Sequence, residues 1–224
     1  MVTATGPAPG SEMTAEIGDV EERSSAGVLH AAAIFASHMV LQRNKPIAVF
    51  GGLDADCAGL EVSAEIHDFD GLLIAQAHAY ASKDVRNGFA PWRVMLPAQS
   101  EGGPYTLRII AGNDVLEFDD VLIGEVWLAG GQSNMELELL NSEHADEELE
   151  NCADPLLRFY NVPKTGVINR NAEGAASWQE SSPENSGVMS AVAYYFANCG
   201  LSWIPTCRSA SWTAISAARR SAAG

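Results

Sequence analysis

An almost unbroken apolar run, Val121 to Leu128, ends in Ala129-Gly130-Gly131, and Ser133 and Asn134 follow after a single glutamine. Eight residues of this character read as a strand covered on both faces, the habit of parallel sheets flanked by helices. The glycines predict a tight turn, and Met135 to Glu150 predicts a helix with acidic residues in its first turn, where the dipole favours them. A chain with this strand–turn–helix corner is committed to an α/β layer. The corner also holds a hydroxyl rigidly beside the free N–H groups of a helix start. Acyl transfer needs that geometry: an exposed Oγ to attack a carbonyl carbon, and N–H donors for the oxyanion. The same residues admit a plainer account. Serine at a helix entrance is a common N-cap, accepting a bond from an N–H one turn in, and the glycines then serve only the turn. The G-x-S-x-G elbow is also absent, because Asn134 and Met135 follow Ser133.

Upstream of this corner the pattern changes to short strands and turns. Val62, Ala64 and Ile66 alternate with Ser63, Glu65 and His67, the period of a half-buried strand. Phe69-Asp70-Gly71 turns the chain and Leu72 to Ala79 returns; Trp92 to Leu96 is a further strand, closed by Pro97. Tyr105, Leu107 and Ile109 face one way on the next, and Gly112-Asn113-Asp114 turns into Val115 to Phe118. This spacing predicts a small antiparallel β-sandwich over residues 28–120, with Asp119-Asp120 marking the change to the α/β layer. Beyond the corner, Arg158 to Val162 predicts a second strand, and Lys164 to Ser186 is polar with Trp178 as its anchor. Ser190 to Ala197 is short and apolar, helix or strand by period alone.

Bulk properties exclude several classes. A net charge of −16 argues against nucleic-acid binding, which needs clustered Lys and Arg. The same charge gives no help in attracting an anionic sugar, so such a ligand needs local positive groups. No apolar run approaches a membrane span. Residues 1–27 are small, polar and acidic, without an apolar core of signal-peptide length, and predict a disordered acidic leader and, by default, a cytoplasmic location. Cys57, Cys152, Cys199 and Cys207 have neither metal-ligand spacing nor disulfide density.

Four blocks resemble the sialate O-acetylesterase family, carbohydrate esterases of the SGNH-hydrolase type. They are GEVWLAGGQSNMEL around Ser133, Phe35-Ala-Ser-His-Met-Val-Leu-Gln-Arg-Asn-Lys-Pro-Ile-Ala-Val-Phe-Gly51, Gly103-Pro-Tyr-Thr-Leu107, and Ser190-Ala-Val-Ala-Tyr-Tyr-Phe-Ala197. They stand in the family's order from about Leu29 to Ala197. One departure is Ser37, where the family more often has aspartate before the histidine. The resemblance implies an N-terminal β-domain, the first part of an SGNH-like esterase domain over 121–197, helix at Ser190 to Ala197, and Ser133 as nucleophile and backbone oxyanion donor. It implies an acetylated carbohydrate as substrate, and it calls for no metal or organic cofactor; Gln132 and Asn134 shape the turn. Oligomeric state is not legible.

The resemblance also implies a histidine base in an Asp-x-x-His block, and a glycine and an asparagine for the oxyanion hole; none of these blocks is readable here. His30, His38, His67 and His78 fall in the β-region, and His144 falls on the predicted helix, about 16 Å along its axis from Ser133. The last residues, 198–224, suggest why. No Asp or Glu follows Glu184, and 207–224 are nearly all Ala, Ser and Arg, with no helical or strand period. Read one base out of register, Trp203-Ile204 and Trp212-Thr213 each force an aspartate codon. The remaining codons permit P-V-G-I-L-D-C-N-L-G-G-T-S, which resembles the family's next block and contains an oxyanion-hole glycine. The expectation is a one-base slip near Asn198, an out-of-frame tail and an early stop, leaving a product that is poorly stable and nearly inactive.

Overall fold

A computed structural model describes residues 28–131, 133–162, 176–203 and 211–218, with 200–203 and 211–218 described as backbone. The leader 1–27, Gln132, most of the polar segment (163–175) and Cys207 lie outside the described residues. The architecture is mixed α/β with strands predominating. In chain order the elements are β1 (Leu29–Ala31), β2 (Val40–Gln42), β3 (Ile47–Asp54), β4 (Glu61–His67), β5 (Leu73–Tyr80), β6 (Phe89–Leu96), β7 (Gly102–Ala111) and β8 (Asp114–Gly131). Then come α1 (Ser133–Glu136), α2 (Ala145–Asn151), β9 (Asp154–Asn161), β10 (Trp178–Ser181), α3 (Ala191–Trp203) and β11 (Ser211–Ala218).

Two sheets form. The smaller runs β1-β3-β6, antiparallel throughout. The larger runs β10-β9-β11-β8-β7-β4-β5, with β2 added beside β8. Its β5-β4-β7-β8 half is antiparallel, whereas β2 and β11 run parallel to β8 and β9 parallel to β11, with β10 antiparallel at the edge. The alternation read in β4 holds: Val62, Ala64 and Ile66 are fully buried, as are Leu107 and Ile109 opposite them on β7. In β6 every second side chain, Ala90, Trp92, Val94 and Leu96, points inward. Inward residues of both sheets belong to one hydrophobic cluster, and burying each Val, Leu or Ile there is worth roughly 1.5–3 kcal/mol.

The strands read at Val115 to Phe118 and Val121 to Leu128 are one strand, β8, bent in the middle. Leu107 pairs with Phe118 but Tyr105 pairs with Val121, so β8 carries an extra residue, a bulge at Asp119-Asp120. Asp120 adopts a left-handed φ of 52° there, a conformation aspartate tolerates better than most residues. Beyond the bulge, Val121, Leu122 and Ile123 are still buried in the main cluster.

Two expectations fail. No helix spans Met135 to Glu150: α1 is one turn, a 3-10 turn covers Leu139–Asn141, and α2 starts only at Ala145. The segment between is drawn into extended pairing with the entrance of α3. Glu138 bridges Ser190, Leu139 N–H donates to the Met189 carbonyl, and Ala191 N–H to that of Leu137. These non-local bonds replace helical ones and put Leu139 in a small second cluster. His144, with φ 59°, precedes α2 and does not lie on a helix running from Ser133, so the axial distance does not apply. The tail, too, is not without regular structure: α3 reaches Trp203, and Ser211–Ala218 is a strand paired on both sides. Flanking strands template β11 despite its lack of alternation, as tertiary context overrides β-propensity.

Ser190 to Ala197 is helical, with Ser190 at its entrance, where the Ser190 Oγ accepts the N–H of Ala193. Trp178 is an anchor, buried with its indole N–H donating to the Ile34 carbonyl at 2.7 Å. Among the described residues no helix is long and apolar enough to cross a membrane.

Candidate active site

Ser133 is the first residue of α1, directly after the C-terminal end of β8. The turn is tight because Gly131 packs on the helix: a Cβ there would lie 3.0 Å from the Met135 Cβ. Met135 is held in turn by the Ser190 hydroxyl, 3.2 Å from its sulfur. Strand end, α1 and the start of α3 therefore form one supported corner. Ser133 is exposed on it, and its hydroxyl bonds to no other described residue. It accepts no N–H from α1, so the capping account of this serine finds no support in the structure.

Three parallel strands finish on the same side. Ala218 of β11 lies opposite Gly131, and Ser216 opposite Asn161, the last residue of β9. The carboxyl ends of parallel strands are where open α/β sheets place their ligand crevices. Beside the corner is an apolar cavity of about 300 Å³ between β8 and α3, lined by Trp127, Ala129, Met135, Val192, Phe196 and neighbours. The Trp127 and Phe196 rings meet edge to face, with centroids 5.1 Å apart. Among the described residues its lining contributes no acid or base.

No histidine is hydrogen-bonded to Ser133 among the described residues. His30 meets Asp54, His67 bonds Glu65 and the Gly71 carbonyl, and His144 lies near Glu143 and Glu147. His78 sits on β5 opposite Ser63.

His38 belongs to a cluster that the sequence reading did not find. Its Nδ1 is 2.6 Å from Asp120 at the β8 bulge, and its own φ is 68°. Arg158 of β9, 3 % exposed, donates to the carbonyls of His38 and Asp120 and to the Asp120 carboxylate, with Glu180 of β10 at 3.4 Å. Burial works against the charged form of Asp120, but the bonds from His38 and Arg158 outweigh it and hold the carboxyl below the usual carboxylate range. His38, Asp120 and Glu180 bring three metal-type ligand atoms within 4.8 Å of one another. The cation among them is the Arg158 guanidinium, and the cluster works as a brace between the bulge and the parallel strands. Its sequence signal was an arginine inside the apolar run Leu156-Leu-Arg-Phe-Tyr160.

A second network braces β2 against β8. Arg43 donates to Glu125 at 2.8 Å and to Glu101 at 3.0 Å, and Gln42 donates to Glu125 at 3.1 Å. Burial opposes the charge on Glu125, yet these partners hold it below the usual range as well. Ser37, the departure from the family's block, accepts the Asp119 N–H at 3.1 Å, again at the bulge.

No protein-family model matches the chain. The sialate O-acetylesterase of Pongo abelii is 31% identical over an alignment of 191 residues that covers 77% of this chain and 34% of that protein. The sialate O-acetylesterase of Homo sapiens is 30% identical over 191 residues, with the same coverage of 77% and 34%. Among solved structures, a carbohydrate acetylesterase from Xanthomonas citri superimposes with a TM-score of 0.70 at 28% identity. The superposition covers 84% of this chain and 40% of that one. The chain thus spans about a third of the length of the sialate O-acetylesterases it matches.

Proposed function

We propose, for a chain that belongs to the sialate O-acetylesterase family over about three quarters of its length, that it carries the nucleophile portion of a carbohydrate O-acetylesterase. Residues 28–120 are the β-sandwich of that enzyme and 121–197 the start of its SGNH-like domain. The observation that carries the reading is Ser133: exposed, with a hydroxyl that bonds to no other described residue, at the carboxyl end of a parallel strand and on a corner supported by Gly131, Met135 and Ser190.

In this chemistry the Ser133 Oγ bonds to the acetyl carbonyl carbon, and the carbonyl oxygen takes the negative charge beside the Ser133 N–H. A histidine from beyond the matched stretch receives the serine proton and passes it to the sugar oxygen as the carbon–oxygen bond breaks. Water then releases acetate from the acetyl-serine. The substrate is a carbohydrate O-acetyl ester, and neither nucleic acid nor membrane takes part. A cytoplasmic setting is the working assumption.

The residues from 198 onward are read as the product of a slipped reading frame, supported by the lack of any acidic residue after Glu184. On this reading the 224-residue chain alone is nearly inactive, because losing base and oxyanion donors costs several powers of ten in rate. A competing reading, a non-catalytic module that binds glycans, is favoured by one observation: each histidine with a described hydrogen bond or ion pair makes it away from Ser133.

The test is hydrolysis of an aryl acetate. A restored-frame protein should hydrolyse it, and Ser133→Ala should lower the rate by about 10⁴-fold or more. An unchanged rate in Ser133→Ala defeats the nucleophile assignment. Vigorous Ser133-dependent hydrolysis by the 224-residue chain defeats the claim that it is nearly inactive. Resequencing from the Ser190 codon onward decides the frame.

A further inference from the structure

The larger sheet ends at β5, and the stereochemistry of that strand specifies what pairs with it. In an antiparallel ladder a residue turns both its N–H and its C=O to one neighbouring strand, and the next residue turns both the other way. Ala81 N–H donates to the Leu60 carbonyl at 2.9 Å and its carbonyl accepts the Gly59 N–H at 3.2 Å, so Ala81 faces the β4 side. Ala79 and Ala77 face that side too, and Gln76, His78 and Tyr80 face the opposite edge. Ser82 keeps the alternation, its N–H donating away from β4 to the Pro91 carbonyl at 2.8 Å. The backbone groups of Gln76, His78 and Tyr80 bond to no described residue. Natural sheets blunt such an edge with charge, proline or a bulge. Gly71 to Ser82 holds no Asp, Glu, Lys, Arg or Pro, and the one bulge, at Ile74, lies near the start of the strand.

We propose that β5 is the pairing edge for a second copy of this chain, the two strands running antiparallel about a two-fold axis at Ala77. A two-fold pairing brings the same edge of both strands together, so residues facing that edge must meet one another. An axis at Ala77 satisfies this: Gln76 meets His78 of the second copy, and Ile74 meets Tyr80, a β-branched side chain against an aromatic ring. The charges at the two ends of the strand select the same orientation. Asp68 and Asp70 precede β5, whereas Lys83 and Arg86 follow it, with Asp84 already held by Arg86 at 3.0 Å. Antiparallel apposition sets each acidic end against a basic one, and a parallel pairing would set like against like. It also brings Phe69, 90 % exposed, toward Val85 of the second copy, which is 40 % exposed. Repulsion between copies carrying a net charge of −16 is least felt along this uncharged edge.

The experiment weighs the full 224-residue chain by light scattering across a concentration series, with hydrogen exchange read at the Gln76, His78 and Tyr80 amides. A concentration-dependent dimer is expected, its three amides exchanging freely in the dilute monomer and slowed in the dimer. His78→Pro removes an edge-facing N–H, and proline is tolerated at strand edges facing solvent. It should leave the melting of the dilute chain unchanged and weaken the dimer about tenfold, while His78→Thr, which keeps the N–H, dimerises normally. If the proline variant melts early, the end charges decide. Asp70→Lys and Lys83→Asp should each weaken the dimer about fivefold, and the two together should restore it. A monomer at every concentration, or a dimer whose three amides exchange freely, overturns the proposal. So does protection already present in the dilute monomer, because the chain's own residues then cover the edge. Larger aggregates that His78→Pro leaves unchanged, or a double charge change that fails to restore the dimer, overturn it as well.

Discussion

Two stretches of β8 beyond its bulge have nearly the same apolar composition and opposite surroundings. Val121, Leu122 and Ile123 are 0 %, 5 % and 1 % exposed, locked between β7, β2 and the inward faces of both sheets. A few residues on, Trp127 is 44 % exposed and Leu128 is 72 %. Apolar side chains declare what a strand is suited for, but burial requires neighbours, and the described residues supply them on only one side of the Ser133 corner. The main cluster is satisfied from within; the smaller one behind α3 is closed on the side of Leu139 and Met189 and open toward Phe196 and Val192.

Removal of the Arg158 brace between the bulge and the parallel strands should have the largest effect. Arg158→Ala leaves the Asp120 carboxylate and two carbonyls without their partner, and should cost about 4 kcal/mol in urea unfolding. A loss under about 1 kcal/mol would mean the bulge is held to the parallel strands by sheet pairing alone. Ile123→Ala comes next, at about 3 kcal/mol for a cavity in a closed core.

Asp120→Asn should follow, at about 2 kcal/mol near neutral pH, because asparagine tolerates the left-handed backbone but loses charge-assisted bonds. Its pH dependence has a definite sign. The folded chain holds the Asp120 and Glu125 carboxyls below their ordinary range, so in acid it binds fewer protons than the unfolded chain. The stability they contribute is full above about pH 5 and disappears as the pH falls through the lowered values. Unfolding midpoints measured across that window should drop in the parent, and drop less in Asp120→Asn. The smallest effect belongs to the open end: Leu128→Ser should change the stability of the lone chain by less than about 0.5 kcal/mol. A loss comparable to that of Ile123→Ala would erase the contrast.

The sequence discloses the parts of this fold that depend on local pattern. Alternation located β4, a nearly continuous apolar run located β8, and two glycines before Ser133 located the corner. What it hid depends on partners far along the chain. The helix expected after Ser133 gives way to pairing with residues 189–191, which no window around Met135 can reveal. β11 has no period of its own and takes its form from β8 and β9. Arg158 was visible as a charge in an apolar strand, but its partners His38 and Asp120 lie 120 and 38 residues away. Ser133 was legible because its supporting residues, apart from Ser190, are its neighbours in sequence. A base brought by distant chain would not be.

One consequence of the bent strand concerns how such a protein can be cut and recombined. A linker between modules tolerates shuffling, since nothing on either side depends on it. Here the seam is a strand that both regions share: a break after Asp120 would strip Val121 to Ile123 from the first core and leave Ser133 on a fragment without its girder. The front region cannot be traded as a cassette, and any exchange among relatives has to carry β8 whole, bulge and Ser133 corner together.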